Sequence, residues 1–282
     1  MKKIGIVCCS NGQQEVMKSQ FNHLTDILNE IGIEPVYSEF LYERDGVRSG
    51  SGRQRAEALM KCYGDDSVFG IFDISGGDIA NEVLPYLDYE RIAKCNKPFF
   101  GYSDLTTVIN AIYTKTGKTS GLYQLRNLLG EDRKNQKRRF VSTFMEGREE
   151  LLDFKYHFLR GEKMDGVIIG GNIRCFLKLA GTEYFPDLDG KLLLLEACGG
   201  EMPQMITYFS QLAQLGAFHK VNGILLGTFT KLEAAGFELE LEQMVLELAE
   251  KLPVVKTFEI GHGADSKCCM VGRKYSLTRY EI

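Results

Sequence analysis

The 282-residue chain has no tryptophan, only six prolines and only four histidines, and it contains no long apolar run. None of its apolar stretches approaches the roughly 18 to 20 residues that cross a bilayer, so we predict no membrane segment. The apolar stretch that follows Met1-Lys2-Lys3 is too short for a signal-peptide core and predicts a buried first strand instead. We therefore expect a cytoplasmic protein.

Basic charge is not in excess. The chain has 34 Lys and Arg against 38 Asp and Glu, which gives a formal net charge of -4. A nucleic-acid partner normally requires clustered Lys and Arg, and the one basic run, from Arg133 to Arg139, is typical of a solvated helix face. With 44% hydrophobic and 26% charged residues, the composition indicates a globular protein of one large or two smaller domains, with no nucleic-acid or membrane partner.

The eight cysteines form no C-x-x-C pair, and most lie within apolar segments. His262 with Cys268 and Cys269 comes nearest to a metal-binding set, but adjacent cysteines on a strand point to opposite faces. No G-x-G-x-x-G fingerprint follows the first strand. The sequence therefore predicts no disulfide framework, no metal and no cofactor.

Strand and helix patterns alternate along the chain. Buried strand patterns at Ile4–Cys9, Ile33–Tyr37 and Ser67–Ile74 are separated by helical segments, which predicts βαβ units and a mainly parallel α/β sheet. Ligands of such sheets bind at the carboxyl ends of the strands. Gly76-Gly77 and Ser103 both fall at such ends, so we expect a site there.

Two domains are predicted, at residues 1–150 and 165–282. Between Gly121 and Asp165 the pattern becomes polar and irregular, which favours a passage between domains. A new apolar strand pattern opens at Gly166 and runs to Asn172.

The segment from Phe99 to Ile112 is the most informative of the chain. An apolar strand ends in Gly101-Tyr102-Ser103 and turns at once into a helix, which lifts a serine hydroxyl clear of the sheet. An acyl-transfer nucleophile would occupy this position. Ser and Asp ahead of an apolar helix are also common N-caps, so capping alone is the alternative at this point.

A serine nucleophile needs a base and an orienting acid, because its hydroxyl is hardly ionised near neutrality. Leu192–Leu195 ends a buried strand pattern on Glu196, and His262 lies between two glycines. Each residue also has a simpler explanation, since Glu196 could pair with any arginine and His262 could serve a turn.

Several segments together resemble the LD-carboxypeptidase family of serine peptidases, in the right order and over nearly the whole chain. They are Gly101-Tyr102-Ser103-Asp104-Leu105-Thr106, Gly170-Gly171-Asn172, Gly181-Thr182, the strand ending in Glu196, and Gly261-His262. Gly76-Gly77-Asp78 with the following residues 82–89 is more similar to the microcin C immunity branch of the family than to the murein-recycling branch.

The resemblance implies a flavodoxin-like amino-terminal domain carrying the nucleophile and a smaller mixed α/β, barrel-like carboxy-terminal domain carrying the Glu and His. It assigns Ser103 as nucleophile, His262 as base and Glu196 as orienting acid. The backbone N–H groups of Gly77 and Asp104 would form the oxyanion hole. The family also implies a homodimer.

Three functions follow from these observations. The first is a serine carboxypeptidase that cleaves the L-to-D bond of a murein tetrapeptide in peptidoglycan recycling, with Arg174 or Arg55 binding the terminal carboxylate. The second keeps the chemistry but acts on a peptidyl-nucleotide antibiotic; the absence of Trp removes one stacking platform for the base, for which Tyr or Phe could substitute. The third is a non-catalytic ligand-binding module.

The segment after the nucleophile helix departs from the family pattern. Where the family usually has a His-Gly-Pro type segment, this chain has Thr119-Ser120-Gly121-Leu122-Tyr123, which predicts an altered pocket wall. The substrate is therefore less constrained than the reaction type.

Overall fold

Two six-stranded sheets packed with helices organise the chain in the computed structural model, which describes residues 1–279. The strands, numbered in chain order, are β1 Lys2–Val7, β2 Ile33–Tyr37, β3 Val68–Asp73, β4 Phe99–Gly101, β5 Ser120–Leu122, β6 His157–Arg160, β7 Lys163–Asn172, β8 Leu192–Ala197, β9 Gly223–Phe229, β10 Val254–Lys256, β11 Cys269–Val271 and β12 Lys274–Thr278.

The α-helices lie mostly between consecutive strands. They are α1 Lys18–Glu30, α2 Gly52–Gly64, α3 Tyr89–Lys94, α4 Thr106–Thr116, α5 Arg133–Phe144, α6 Ile173–Leu177, α7 Met202–Gln214, α8 Ala217–Lys220, α9 Thr230–Ala234 and α10 Glu238–Leu248. Short 3-10 helices lie at Glu15–Met17, Ala80–Tyr86, Ser103–Leu105 and Leu125–Leu129. Within residues 1–279, none of the helices has the length and apolar character needed to cross a bilayer.

The first sheet has the order β11-β5-β4-β3-β1-β2. Its five amino-terminal strands are all parallel, and their order is that of flavodoxin-like sheets. The predicted flavodoxin-like parallel sheet is therefore confirmed. Strand β11 comes from the carboxy-terminal end of the chain and pairs antiparallel with β5.

The second sheet has the order β12-β7-β8-β9-β10-β6 and is mixed, as predicted. Its four central strands are parallel, while β12 and β6 pair antiparallel at the two edges. Side chains join the two edges: Tyr156 Oη donates to the Thr278 carbonyl at 3.1 Å, and Arg279 Nη2 donates to the Phe158 carbonyl at 3.2 Å. The sheet is thus curled on itself, which gives it the predicted barrel-like character.

Strand β8 shows why the sequence forms these central strands. All six of its residues are buried. Parallel strands covered by helices on both faces have nearly continuous apolar sequences, and Leu192–Leu195 follows that rule. Glu196 is the exception in this strand, and its burial points to a specific partner.

Residues 121–144 are not the irregular passage that their polarity predicted. They contain the end of β5, the 3-10 helix Leu125–Leu129 and α5, which packs against the first sheet. The ring of Phe140 lies 5.7 Å from that of Phe72 in β3. Only three residues of α5 are buried, namely Gln136, Phe140 and Ser142. The buried face of the helix is therefore too narrow to be recognised in a mostly polar sequence.

Helix α4 of the first sheet is bonded directly to β7 of the second. Asn110 Nδ2 donates to the Gly170 carbonyl, and the Gly170 N–H donates to Asn110 Oδ1, both at 2.9 Å. The Asn172 N–H donates to Thr106 Oγ1 at 3.0 Å. Gly171 (φ +132°) permits this approach, because a Cβ there would lie 2.8 Å from Thr106 Oγ1. These buried contacts fix how the carboxyl ends of the two sheets face each other.

Candidate active site

Ser103 lies on a sharp turn between β4 and α4. Tyr102 is extended, and Ser103 follows with φ 52°, one of two non-glycine residues with positive φ among residues 1–279. A left-handed serine between a strand and a helix is the geometry of a nucleophile elbow, and such strain is found where it serves a site. The turn leaves Ser103 half-buried, facing the second sheet rather than capping the helix with its hydroxyl.

Glu196 and His262 form a buried pair. His262 Nδ1 lies 2.6 Å from Glu196 Oε2. The Glu196 side chain is 0% exposed and that of His262 is 9% exposed. The backbone N–H of His262 donates to Thr228 Oγ1 at 3.2 Å, which fixes the loop that carries the imidazole. The pair is thus held by β8 on one side and by the end of β9 on the other.

The imidazole of His262 packs against the residue that precedes Ser103. The ring centroids of Tyr102 and His262 lie 4.2 Å apart. Within residues 1–279, Ser103 Oγ makes no hydrogen bond to His262. The structure therefore brings Glu196 and His262 into contact and places the imidazole beside the serine turn, without a bond between imidazole and hydroxyl.

Gly77 lies in a turn close to Ser103. A Cβ added at Gly76 would lie 4.0 Å from the Cβ of Ser103, and Gly77 has φ +119°, where a side chain would collide with Asn11. The Asp78 N–H donates to Asn11 Oδ1 at 2.9 Å and anchors the turn. The N–H groups of Gly77 and Asp104 donate no hydrogen bond within the described residues. Both are thus available to a ligand.

The side chain of Asp104 points away from solvent and is fully buried. Its Oδ2 accepts from Ser10 Oγ at 2.6 Å and from the Ala80 N–H at 2.8 Å. Its Oδ1 accepts from Lys178 Nζ at 2.6 Å. This carboxylate holds three segments of the site together, so that only the backbone N–H of Asp104 is free to meet a ligand.

A cavity of about 310 Å³ opens in front of Ser103. Sequence reasoning identified Ser103 and considered Arg174 in its lining, but the roles of Asn172, Cys198, Gln204 and Tyr208 as lining residues were missed. Asn172 gave a signal, since it follows two glycines at the end of a strand. Gln204 and Tyr208 lie one turn apart on α7 and look like ordinary surface residues in the sequence.

The two arginines considered for a substrate carboxylate are placed very differently. Arg55 is buried and forms an ion pair with Glu82. Its guanidinium also donates to three backbone carbonyls, those of Cys9, Ser10 (3.2 Å) and Gly50 (3.1 Å). It does not line the cavity in front of Ser103 and is a structural cation. The alternative of Arg55 as a carboxylate ligand is therefore set aside.

Arg174 lines the cavity, and its side chain is 43% exposed. Its guanidinium pairs with Asp78 and donates to the Gly77 carbonyl at 3.1 Å. Burial acts to raise the pKa of Asp78, but the hydrogen bond and charge of Arg174, together with Lys178, outweigh it and keep that pKa below its usual range. Arg174 is the one charged residue in the described lining of the cavity.

No group of three or more His, Cys, Asp or Glu side chains within residues 1–279 is arranged to hold a metal ion. His262, Cys268 and Cys269 are therefore not brought together as ligands. Both cysteines are fully buried, and burial raises the pKa of each thiol. They pack as small apolar side chains.

Family models decide the relationship of the chain. The LD-carboxypeptidase N-terminal domain matches residues 4–124, and the LD-carboxypeptidase C-terminal domain matches residues 165–277. The chain belongs to the LD-carboxypeptidase family. As a member of this family it is a serine carboxypeptidase.

Relatives of the chain within the LD-carboxypeptidase family differ in the activity for which they are named. The microcin C7 self-immunity protein MccF of Escherichia coli is 25% identical, over 92% of this chain and 85% of that protein. The murein tetrapeptide carboxypeptidase of Pseudomonas aeruginosa is 24% identical, over 80% and 77%. The structure of MccF in complex with glutamyl sulfamoyl guanosine matches with a TM-score of 0.86 at 22% identity, covering 98% and 93%, and shows the same two-domain α/β fold.

Proposed function

We propose that this LD-carboxypeptidase family member hydrolyses the L-to-D bond of a murein tetrapeptide through a Ser-His-Glu acyl-enzyme mechanism. The observation that carries the proposal is the buried His262–Glu196 pair, at 2.6 Å, beside the strained turn of Ser103. A carboxylate only accepts, so Nδ1 carries the proton and Nε2 is left as base. This is the arrangement a serine nucleophile requires.

In the proposed first step, Ser103 Oγ attacks the amide carbonyl while His262 Nε2 takes the hydroxyl proton. The N–H groups of Gly77 and Asp104 receive the oxyanion; each such donor contributes about 3 to 4 kcal/mol where one has been removed from an enzyme. His262 then protonates the amine of the leaving D-amino acid. The hydroxyl–imidazole bond forms in the substrate complex, as is common in enzymes whose free state lacks it.

In the second step, water attacks the ester of Ser103 and His262 accepts a proton from it. The tetrahedral intermediate collapses, the acyl peptide leaves with a free carboxylate, and the proton returns to Ser103 Oγ. Glu196 stabilises the imidazolium in both steps without taking its proton.

Arg174 is assigned to the terminal carboxylate of the substrate. It is the charged group in the lining of the cavity that also contains Ser103. A guanidinium presents five N–H donors, so Arg174 can bind a second carboxylate beside Asp78. A carboxypeptidase needs such a cation within the length of one residue from its nucleophile.

The murein peptide is placed first because the chain has no tryptophan to stack on a base; Tyr208 is the aromatic residue in the cavity lining that could take that role for a peptidyl nucleotide. The microcin branch supplies the second candidate, since MccF covers 92% of this chain. The murein function would place the protein in the cytoplasm, where recovered peptides are trimmed. The proposed domains are residues 1–150 and 165–282, with β11 of the second stretch added to the edge of the first sheet. A homodimer completes the proposal, and light scattering of the purified protein tests the dimer.

The deciding experiment incubates the protein with a murein tetrapeptide and, separately, with a glutamyl sulfamoyl nucleoside, and identifies products by mass spectrometry. We expect release of D-alanine from the tetrapeptide, abolished in the Ser103→Ala variant. If only the glutamyl sulfamoyl nucleoside were cleaved and the tetrapeptide were not, the proposed function would instead be detoxification of a peptidyl-nucleotide antibiotic. Binding of either compound without turnover would leave the non-catalytic module as the explanation and remove the triad.

A further inference from the structure

Lys178 connects the two segments that carry the oxyanion donors. It directly follows α6 and reaches from the second sheet towards the first. Its Nζ donates to the Asp78 carbonyl at 2.9 Å and to Asp104 Oδ1 at 2.6 Å. One ammonium is therefore bonded to the main chain beside Gly77 and to the side chain of Asp104.

Among the described residues of the carboxy-terminal half, Lys178 is the one side chain that bonds both to the Gly77-Asp78 segment and to Asp104. On the Gly77 side, Arg174 holds only the Gly77 carbonyl and the Asp78 carboxylate. The carboxylate of Asp104, the residue after Ser103, also accepts a hydrogen bond from the backbone N–H of Ala80, at the end of the turn that contains Gly77. Lys178 therefore adds a second link between the two segments, beside the direct bond from the Ala80 N–H to Asp104 Oδ2.

Lys178 lies outside the cavity in which we place the substrate. Its side chain is 20% exposed, and it is absent from the described lining of the cavity in front of Ser103. Two of its three N–H donors are used by oxygens of the oxyanion segments, and a third faces Asp78 Oδ1 at 3.5 Å. It is placed to orient groups rather than to bind a ligand.

We propose that Lys178 is a positioning residue that holds the N–H groups of Gly77 and Asp104 at the spacing needed to bind the oxyanion. The proposal rests on the proposed peptidase function and deepens it. Because Lys178 follows α6, which packs on β7 and β8 of the second sheet, the proposed oxyanion hole on the first sheet is complete only when the two sheets are docked. An oxyanion donor acts mainly in the transition state, so loss of its alignment lowers kcat rather than substrate affinity.

The test replaces Lys178 by Met, which keeps the length of the side chain and removes the ammonium. We expect kcat to fall by about 100-fold, the lower end of the loss seen when one oxyanion donor is removed. KM should stay within about twofold, and affinity for a tetrahedral boronate should fall in parallel with kcat. The matched control is Lys115→Met, which removes another lysine that reaches across the two sheets, to Glu183 at 2.8 Å, far from the turn.

Lys178→Met also leaves the buried carboxylate of Asp104 without its cation, so stability must be separated from positioning. The double variant Lys178→Met/Asp104→Asn removes that buried charge. We expect its Tm to recover towards wild type while kcat stays low, because the bond to the Asp78 carbonyl is still missing.

Recovery of kcat together with Tm in the double variant would overturn the positioning role, as would a kcat of Lys178→Met within threefold of wild type. A wild-type protein without any amide hydrolysis would instead overturn the proposed function, and the role of Lys178 with it. Wild-type turnover thus separates the two failures.

Discussion

The Nδ1 atom of His262 lies 2.6 Å from Oε2 of Glu196, although the two residues are 66 positions apart in the chain. Within residues 1–279 the imidazole is the one hydrogen-bond partner of this carboxylate, whose Oε1 is buried and unpaired. Burial of a carboxylate without several donors is costly. Stability alone therefore gives no reason for a carboxylate at this position, and the proposed role in orienting the imidazole does.

Glu196→Gln is predicted to lower kcat by about 10³- to 10⁴-fold with little change in KM. A neutral amide can donate to Nδ1, which selects the wrong tautomer and cannot stabilise the imidazolium. The rate of D-alanine release from a murein tetrapeptide measures the effect. Glu183→Gln, at an exposed surface pair, is the control, and a loss of less than tenfold in the Glu196 variant would contradict the orienting role.

Arg174→Met is predicted to raise KM by about 10- to 100-fold for peptides with a free terminal carboxylate, the range expected for a hydrogen-bonded charge. Peptides whose terminus is amidated should be cleaved equally slowly by wild type and variant. Kinetics on the matched pair of peptides provides the measurement, with the exposed Arg148→Met as control. If the variant cleaved both peptides less efficiently than wild type by the same factor, Arg174 would not be the carboxylate ligand.

Cys198 is the one cysteine with an exposed side chain among the described residues, and it lines the cavity in front of Ser103. Burial of its thiol, followed by the charge of Glu196, raises the pKa above its usual value. Because the thiolate is the reactive form, alkylation should be slow at neutral pH and accelerate at a higher pH than for free cysteine. Rates of iodoacetamide labelling against pH, read by mass spectrometry, test this.

Labelling of Cys198 should also abolish turnover, since the added group fills part of a cavity of about 310 Å³. In the Cys198→Ser variant, iodoacetamide should cause no loss of turnover. Inactivation of that variant at the same rate would place the sensitive group elsewhere.

Asn110→Ala is predicted to lower the free energy of unfolding by about 2 to 4 kcal/mol. The side chain bonds to both the N–H and the carbonyl of Gly170 in a buried position, and truncation leaves both unpaired. Urea denaturation gives the value. Asn135→Ala, at an exposed position of α5, should change it by no more than about 0.5 kcal/mol.

The parallel strands of both sheets could be predicted because their residues are apolar over whole strands, as in Leu192–Leu195. The basic run from Arg133 to Arg139 indicated the exposed face of α5, but the packing of this helix on the first sheet could not be predicted, since only three of its twelve residues are buried. The edge strands β6, β11 and β12 are only three to five residues long, and β6 and β12 are only partly apolar, so the sequence did not indicate the antiparallel edges.

The sequence pattern named Ser103, Glu196 and His262 because each stands at the end of a strand or between glycines, and their catalytic roles remain predictions. It gave no hint of Lys178, whose neighbours Leu177 and Leu179 are unremarkable and whose partner Asp104 is 74 positions away. It also could not separate Arg174 from Arg55, because only the folded chain shows which guanidinium is enclosed by carbonyl groups.

Strand β11 follows the loop of His262 and returns to pair with β5, next to the strand that presents Ser103. A gene fragment that ends after the first five strands would thus encode a sheet with an uncovered edge, prone to associate with other chains. Neither half of this enzyme is a contiguous, transplantable module. To preserve both sheets, recombination between family members would have to exchange the carboxy-terminal segment that contains β11 together with the segment that contains β1 to β5.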